Sequence, residues 1–421
     1  MLLLNTIRLL LSTSLASAST YADIPLPPSQ DPFYTAPAGF ETARPGQVLR
    51  LRVAPGNLTS LVANSSEAYH VLFRTTDSRY NPSWAVTTLF VPCTASANDS
   101  GTPLLSYQIP YNTANVDASP SYLYYGGPEA LPPLSFSDVS TALGYGWYVN
   151  VPDFEGPLAA YAAGVQAGHA TIDSIRAVQS LDLGLQPNAT VVLWGYSGGS
   201  FASAFAAELA VQYAPELNIS GLALGGLLVN LTETAEIPGE IQPPGVLGLT
   251  AQYPEARAHI IDQLHDSGPY NKSTFLAGLH TSAADERELY GNQSIWPYFR
   301  DGEGILRNPM LLQIVHSETI LGYHGTPQAP LFVYKAVHDE ATPIASTDAL
   351  VERWCGVGTD VLYQRNMVGG HGDEARNGDP RALDWLKSVF EGTRSVMYTT
   401  GGCRVENVTW EEANTGFRRG M

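Results

Sequence analysis

Apolar positions change their period several times along this chain, and each change marks an element. Residues 68–75, 85–91 and 102–109 carry β-branched and aromatic side chains over strand lengths, separated by turn residues, which predicts three strands. Residues 146–151 form a fourth short run, closed by the loop 152–156. From 158 to 181 the period becomes helical, with Ile172, Ile175, Val178 and Leu181 three residues apart and Ala159 to Ala163 supplying helix formers. Residues 190–194 read as a buried strand, 201–213 as an Ala-rich helix that stops before Pro215, and 221–224 as the next strand. Strands alternating with helices predict parallel βαβ units with right-handed crossovers.

The rhythm breaks over 232–325. Pro238, Pro243 and Pro244 interrupt short helical pieces with scattered aromatics (Tyr253, Tyr270, Phe275, Trp296, Tyr298). This segment reads as a mainly helical cap inserted over the C-terminal edge of the sheet; a set of plain surface connections is the alternative. Without one continuous helical stripe, it is expected to pack its apolar groups over the sheet edge and above Ser197 rather than around a core of its own. The βα rhythm returns with a strand at 331–336, a helix at 344–354, a strand at 361–364 and a helix at 380–390, and a tail follows 391. The expected organisation is a leader at 1–18, a first core part at 19–231 opening with an arm at 19–47, the cap at 232–325, and a second core part at 326–421. No internal repeat is apparent.

The ends and the surface suggest a compartment. Met1 to Leu11 is a short apolar run with Arg8, and Ala16-Ser17-Ala18 is a small-x-small site, the pattern of a secretory signal peptide. The run is too short to span a bilayer, which takes roughly 20 apolar residues. No later segment reads as an anchor, so a secreted, soluble monomer is expected. Nine Asn-x-Ser/Thr sequons agree with that route: Asn57, Asn64, Asn98, Asn188, Asn218, Asn230, Asn271, Asn292 and Asn407. The three cysteines are too few for a disulfide framework. One bridge is expected, Cys355 with Cys403, both flanking the C-terminal strand and helix. Cys93 is then free and is expected to be a small buried apolar residue. The formal charge of −18 argues against nucleic acid and anionic membranes and suits a neutral substrate. No Cys/His cluster has zinc-ligand spacing, so neither metal nor cofactor is expected.

The sharpest chemical signal is Gly195-x-Ser197-x-Gly199 between a strand and a helix. A serine hydroxyl is a weak nucleophile and has to project from a sharp turn where a base can reach it. Glycines on either side remove Cβ atoms that would clash in such a backbone. The helix N-terminus and the Gly198 N–H would face the negative charge that develops during attack. The order Ser, acid, His requires partners past later strand ends. Asp339 follows the strand 331–336, and His371 lies in a Gly-rich loop after the strand at 361–364. Glu340 is expected to face another way, His338 to be a structural hydrogen-bond partner, and Asp348 and Asp360 to be surface or helix residues. His316 and His324 precede the acid and break the order. Together these features predict the α/β-hydrolase fold.

At this point the chain resembles the fungal secretory lipases of the Candida antarctica lipase A type. Asp31-Pro32-Phe33-Tyr34, Gly46-x-Val48-Leu49-Arg50, the 195–199 elbow, the run Tyr213 to Ile219, and Asp339-Glu340 with His371 downstream all match, over residues 31–403. The resemblance implies that Ser197, Asp339 and His371 are nucleophile, orienting acid and base. It implies that the stretch with Ser106-Tyr107-Gln108 and Pro120-Ser121-Tyr122 supplies a second oxyanion donor, the backbone N–H of Asn112, where the family carries Asp. Asp153-x-Glu155-Gly156 would shape the floor beside the elbow. The implied substrate is a neutral ester, a long-chain glyceride met at a lipid–water interface. A second reading within the same chemistry is the deacetylation of a secreted trichothecene-type metabolite. A peptidase and a non-catalytic binding protein are more distant alternatives.

Overall fold

A computed structural model describes residues 24–96, 101–128, 130–186, 188–236, 239, 241–291 and 293–411. The expected leader and the sequons at Asn98 and Asn292 lie outside the described residues.

One ten-stranded sheet organises the chain, in the order β1-β2-β3-β5-β4-β6-β7-β8-β9-β10. Its strands are β1 (Val48–Val53), β2 (Ser65–Thr76), β3 (Pro82–Pro92), β4 (Pro103–Gln108), β5 (Tyr148–Pro152), β6 (Thr190–Tyr196), β7 (Ile219–Gly225), β8 (Leu331–Ala336), β9 (Val361–Asn366) and β10 (Cys403–Val408). β1, β2, β3 and β5 pair antiparallel in succession. From β5 through β4, β6, β7, β8 and β9 to β10 every pairing is parallel. This mixed, mostly parallel sheet with helices on both faces is the α/β-hydrolase fold.

The period-2 pattern of the inner strands sorts the core into two layers. Val191, Leu193, Leu222, Leu224, Leu331 and Val333 face the helices Gly164–Gln179, Gly198–Tyr213 and Ile344–Gly356. Val192, Trp194, Ala223, Phe332 and Tyr334 face Ser135–Gly144 and His371–Phe390. Strands covered on both faces read as continuous apolar runs, which is why these were plain in the sequence.

Two strands depart from the expected pattern. β1 lies within what read as the approach to the first strand, and β10 lies within the expected tail. Both are edge strands with mostly exposed or half-buried residues, so neither carries a clean apolar run. The disulfide Cys355–Cys403 joins the helix Ile344–Gly356 to the first residue of β10. Cys93 is free as expected but exposed, because it follows the last residue of β3, where the chain leaves the sheet.

Between β7 and β8 lies the helical insertion, with Gln242–Ala251, Pro254–Gln263 and Pro309–Thr319 as its longer helices. It does hold a core of its own, contrary to expectation. Leu247, Ile260, Leu264, Phe275, Tyr298, Phe299 and Leu311 cluster together, and the body contributes only Ala114, Ala160 and Ala163 as buried partners. Several short helices folded on one another bury what no single amphipathic stripe could.

Candidate active site

Ser197 stands at the junction of β6 and the helix Gly198–Tyr213 with φ 53° and ψ −123°, the left-handed region that side chains rarely adopt. The glycines around it are needed for space. A Cβ on Gly195 would come within 2.2 Å of the Gly199 carbonyl carbon, and a Cβ on Gly199 within 1.9 Å of the Gln108 oxygen. The turn is therefore pressed against the end of β4, and the serine hydroxyl projects from it.

His371 arrives from the far side of the sheet. It is the first residue of the helix His371–Phe390, so the expected Gly-rich loop ends one residue earlier and the helix runs through Pro380. Its Nε2 lies 2.8 Å from Ser197 Oγ and its Nδ1 2.8 Å from Asp339 Oδ2. The Asp339 Oδ1 accepts the backbone N–H groups of Ala341 and Thr342 at 2.9 and 3.0 Å. Three residues drawn from the ends of β6, β8 and β9 thus meet in one hydrogen-bonded line.

Burial alone would raise the Asp339 carboxyl. The hydrogen bond and charge of His371, the Lys335 cation and the Thr342 amide outweigh it and hold Asp339 below the ordinary carboxylate range. Lys335 was invisible among the apolar residues of β8. Its Nζ is fully buried, 3.5 Å from Asp339 Oδ2, and burial lowers it from the usual lysine value.

Neighbouring groups fix the imidazole. The His371 backbone N–H donates to Glu340 Oε2 at 2.7 Å, and the Tyr196 hydroxyl donates to the His371 carbonyl. Glu340, expected to point elsewhere, thus holds the backbone of His371. His338 is exposed instead of serving as a structural partner. Asp348 and Asp360 are occupied elsewhere, by Tyr363 and Arg365 and by Arg394. His316 is exposed, and His324 Nε2 meets the Ser317 carbonyl at 2.7 Å.

Asn112 sits beside the elbow with φ 45°, its Oδ1 within 2.5 Å of where a Gly198 Cβ would stand. Gly198 and Asn112 are therefore neighbours. The loop carrying Asn112 is gripped from two sides. The Glu155 N–H donates to the Tyr111 hydroxyl at 2.7 Å, and Thr113 Oγ1 lies 2.8 Å from Glu286 Oε1 on the inserted region. Beneath it, buried Asp153 accepts the Ser121 N–H and hydroxyl, and burial pushes it up to about 7. Glu155 is also buried, and desolvation together with the Glu286 and Asp153 charges raises it well above the usual range. No hydrogen-bond partner reaches Glu155 Oε2.

Two described cavities, about 360 and 260 Å³, lie at Ala207–Ile219 and around Tyr253 and Met310; neither is lined by Ser197, Asp339 or His371. Among the described residues no group of three His, Cys, Asp or Glu could hold a metal ion. No described helix is long and apolar enough to cross a membrane. Of the described sequons, Asn57, Asn64, Asn188, Asn218 and Asn407 are exposed, and Asn230 and Asn271 are half-buried.

Residues 135–397 match the family described as secretory lipase. The chain is 46% identical, over 96% of its length and 93% of the relative's, to a "Trichothecene C-3 esterase" of Fusarium sporotrichioides. It is 35% identical to a "Lipase A" of Arthroderma benhamiae, over 92% of this chain and 84% of that protein. The solved structure of Candida antarctica lipase A is similar with a TM-score of 0.80 at 25% identity, covering 92% of this chain and 91% of that one.

Proposed function

The chain belongs to the secretory lipase family and is a secreted carboxylic ester hydrolase, and from that premise we propose that it removes a short acyl group from a trichothecene-type alcohol through Ser197, Asp339 and His371. The observation that carries the chemistry is the unbroken line from Ser197 Oγ through both ring nitrogens of His371 to Asp339, with 2.8 Å at each link. The substrate reading rests on the higher identity to the esterase, 46% against 35% for the lipase.

In this reading His371 Nε2 takes the Ser197 proton as Oγ attacks the ester carbonyl. Asp339 holds the ring in the tautomer that leaves Nε2 free and stabilises the imidazolium. The carbonyl oxygen becomes an oxyanion and accepts the N–H groups of Gly198 and Asn112. His371 then gives its proton to the departing alkoxide oxygen, so the alcohol leaves and the acyl group stays on Ser197. A water molecule repeats the sequence, releasing the acid and restoring the serine. Every proton taken is returned, and no cofactor enters the balance.

The glyceride reading keeps the same residues and is favoured by the close match to lipase A and by the inserted helical region between β7 and β8. A p-nitrophenyl ester series from acetate to stearate, together with a trichothecene acetate and a tributyrin emulsion, separates the two. The proposed activity predicts a maximum at acetate, turnover of the trichothecene ester, and no gain at an interface. A maximum beyond octanoate with a jump at the emulsion would overturn it in favour of the lipase.

A further inference from the structure

β8 is buried along its whole length, and five of its six residues are Leu, Phe, Val, Tyr and Ala. The sixth, Lys335, carries a cation into that interior with a side chain that is 0% exposed. Burying a charge costs several kcal/mol unless it is paired and hydrogen-bonded, so its partners reveal what it is for.

Apart from the Leu227 carbonyl, those partners lead toward Asp339. Lys335 Nζ donates to the Leu227 carbonyl at 2.9 Å and to Thr342 Oγ1 at 2.6 Å, and lies 3.5 Å from Asp339 Oδ2. That is the same oxygen that faces His371 Nδ1 at 2.8 Å. The Thr342 backbone N–H in turn donates to Asp339 Oδ1. Asp339 is thus shared between a buried ammonium behind it and an imidazole in front.

We propose that Lys335 is a positioning residue that extends the reaction toward acid pH by balancing part of the Asp339 charge, an inference that rests on the triad reading above. The physical reason is electrostatic competition. A lone buried carboxylate draws a proton onto the facing imidazole and so removes the free base from use. With a cation on the carboxylate's other side, the imidazolium meets a partly neutralised partner and a repelling charge. Removing the cation should therefore favour the charged pair and move the acidic limb of the rate profile upward.

Other charges act on the same spot. Glu233, on the turn Leu231–Glu236, faces Lys335 and has Oε1 occupied by Ser346. Asp348, on the helix Ile344–Gly356, faces it from further away and is paired with Arg365. On the helix that begins with His371, Glu374 acts on Asp339 but is held by Arg381 and Asn366. Glu340 is spent on the His371 N–H. Lys335 is the cation that touches Asp339 directly.

The test is the pH dependence of kcat/KM for p-nitrophenyl acetate in the wild type, Lys335→Met and Lys335→Gln, with thermal melts and fluorophosphonate labelling alongside. Met keeps the volume; Gln also keeps a donor for Leu227 O and Thr342 Oγ1. In each folded variant the acidic limb should move to higher pH by on the order of one unit. Glu233→Gln keeps the lysine and removes a facing anion, so its limb should move the other way by a few tenths of a unit. A lowered melting temperature with an unmoved limb would make Lys335 purely structural and overturn the proposal. Should both Lys335 variants fail to fold, an unmoved limb in Glu233→Gln overturns it equally. If wild-type Ser197 is not labelled, it is the triad reading that fails.

Discussion

Thr113 Oγ1 lies 2.8 Å from Glu286 Oε1, so a carboxylate borne by the inserted region holds the residue next to Asn112. The same hydroxyl is 2.9 Å from the Thr281 carbonyl, and its single proton serves one or the other. Removing it should loosen the loop that carries Asn112. Thr113→Val is expected to lower kcat about tenfold, the scale of one lost hydrogen bond, with KM little changed. Steady-state kinetics on p-nitrophenyl acetate check this, and a change confined to KM would assign Thr113 to substrate binding.

Ser197→Ala should keep the fold and lose activity by on the order of 10⁴-fold in kcat. His371→Ala should be similarly impaired. His338→Ala should behave as wild type, since that side chain is exposed. Initial rates on purified, folded protein decide it, and near-wild-type turnover in Ser197→Ala would remove the whole assignment.

Stability should fall as pH rises from about 4 to 7. Burial pushes Asp153, Glu208 and Glu318 up to about 7 and Asp173 to about 6. A carboxyl raised in the folded state binds its proton more tightly there than in the unfolded chain. Below the unfolded value both states are protonated and nothing is lost. Above it the folded protein forgoes up to ~1.4 kcal/mol per pH unit for each such group, until the folded value is passed. Asp339 is lowered instead and opposes this trend at the acid end. His70 and His169, which burial lowers to about 3 and about 4, oppose it up to the ordinary histidine value; the four carboxyls outnumber them. Chemical denaturation at pH 4.5, 6 and 7.5 measures the slope; a flat or rising profile contradicts it.

Breaking Cys355–Cys403, which are 48 residues apart, should cost roughly 4 kcal/mol in the chain-entropy account. The paired Ser variant should melt lower, with β10 the first strand to lose amide protection. Cys93→Ser should change stability by less than about 0.5 kcal/mol, because the thiol is exposed. Urea titrations of the three proteins compare them directly.

What could be read in the sequence followed local physics. Buried strands such as β4, β6 and β8 announce themselves as apolar runs, and the elbow needs its glycines within five residues. Asp339 and His371 followed from chain order and strand ends. Other features depend on contacts between distant residues. Lys335 inside β8 acquires a role only from Leu227 and Thr342, which are distant or looped around it. Glu286 and Thr113 stand 173 residues apart. The helix expected at 380–390 begins nine residues earlier, at His371, and runs through Pro380. Edge strands β1 and β10 lack the pattern that burial imposes.

Glu318, on the last turn of Pro309–Thr319, is sunk into the body, accepting the Val165 N–H at 3.0 Å and the hydroxyls of Ser78 at 3.1 Å and Tyr253 at 2.5 Å. Pulling it out would strand the Val165 and Ser78 donors of the body together with a carboxyl. The inserted region is therefore tied to the body at this corner. Glu286 ties another part of the same region to Thr113, so displacing the inserted region would also disturb the loop that carries Asn112.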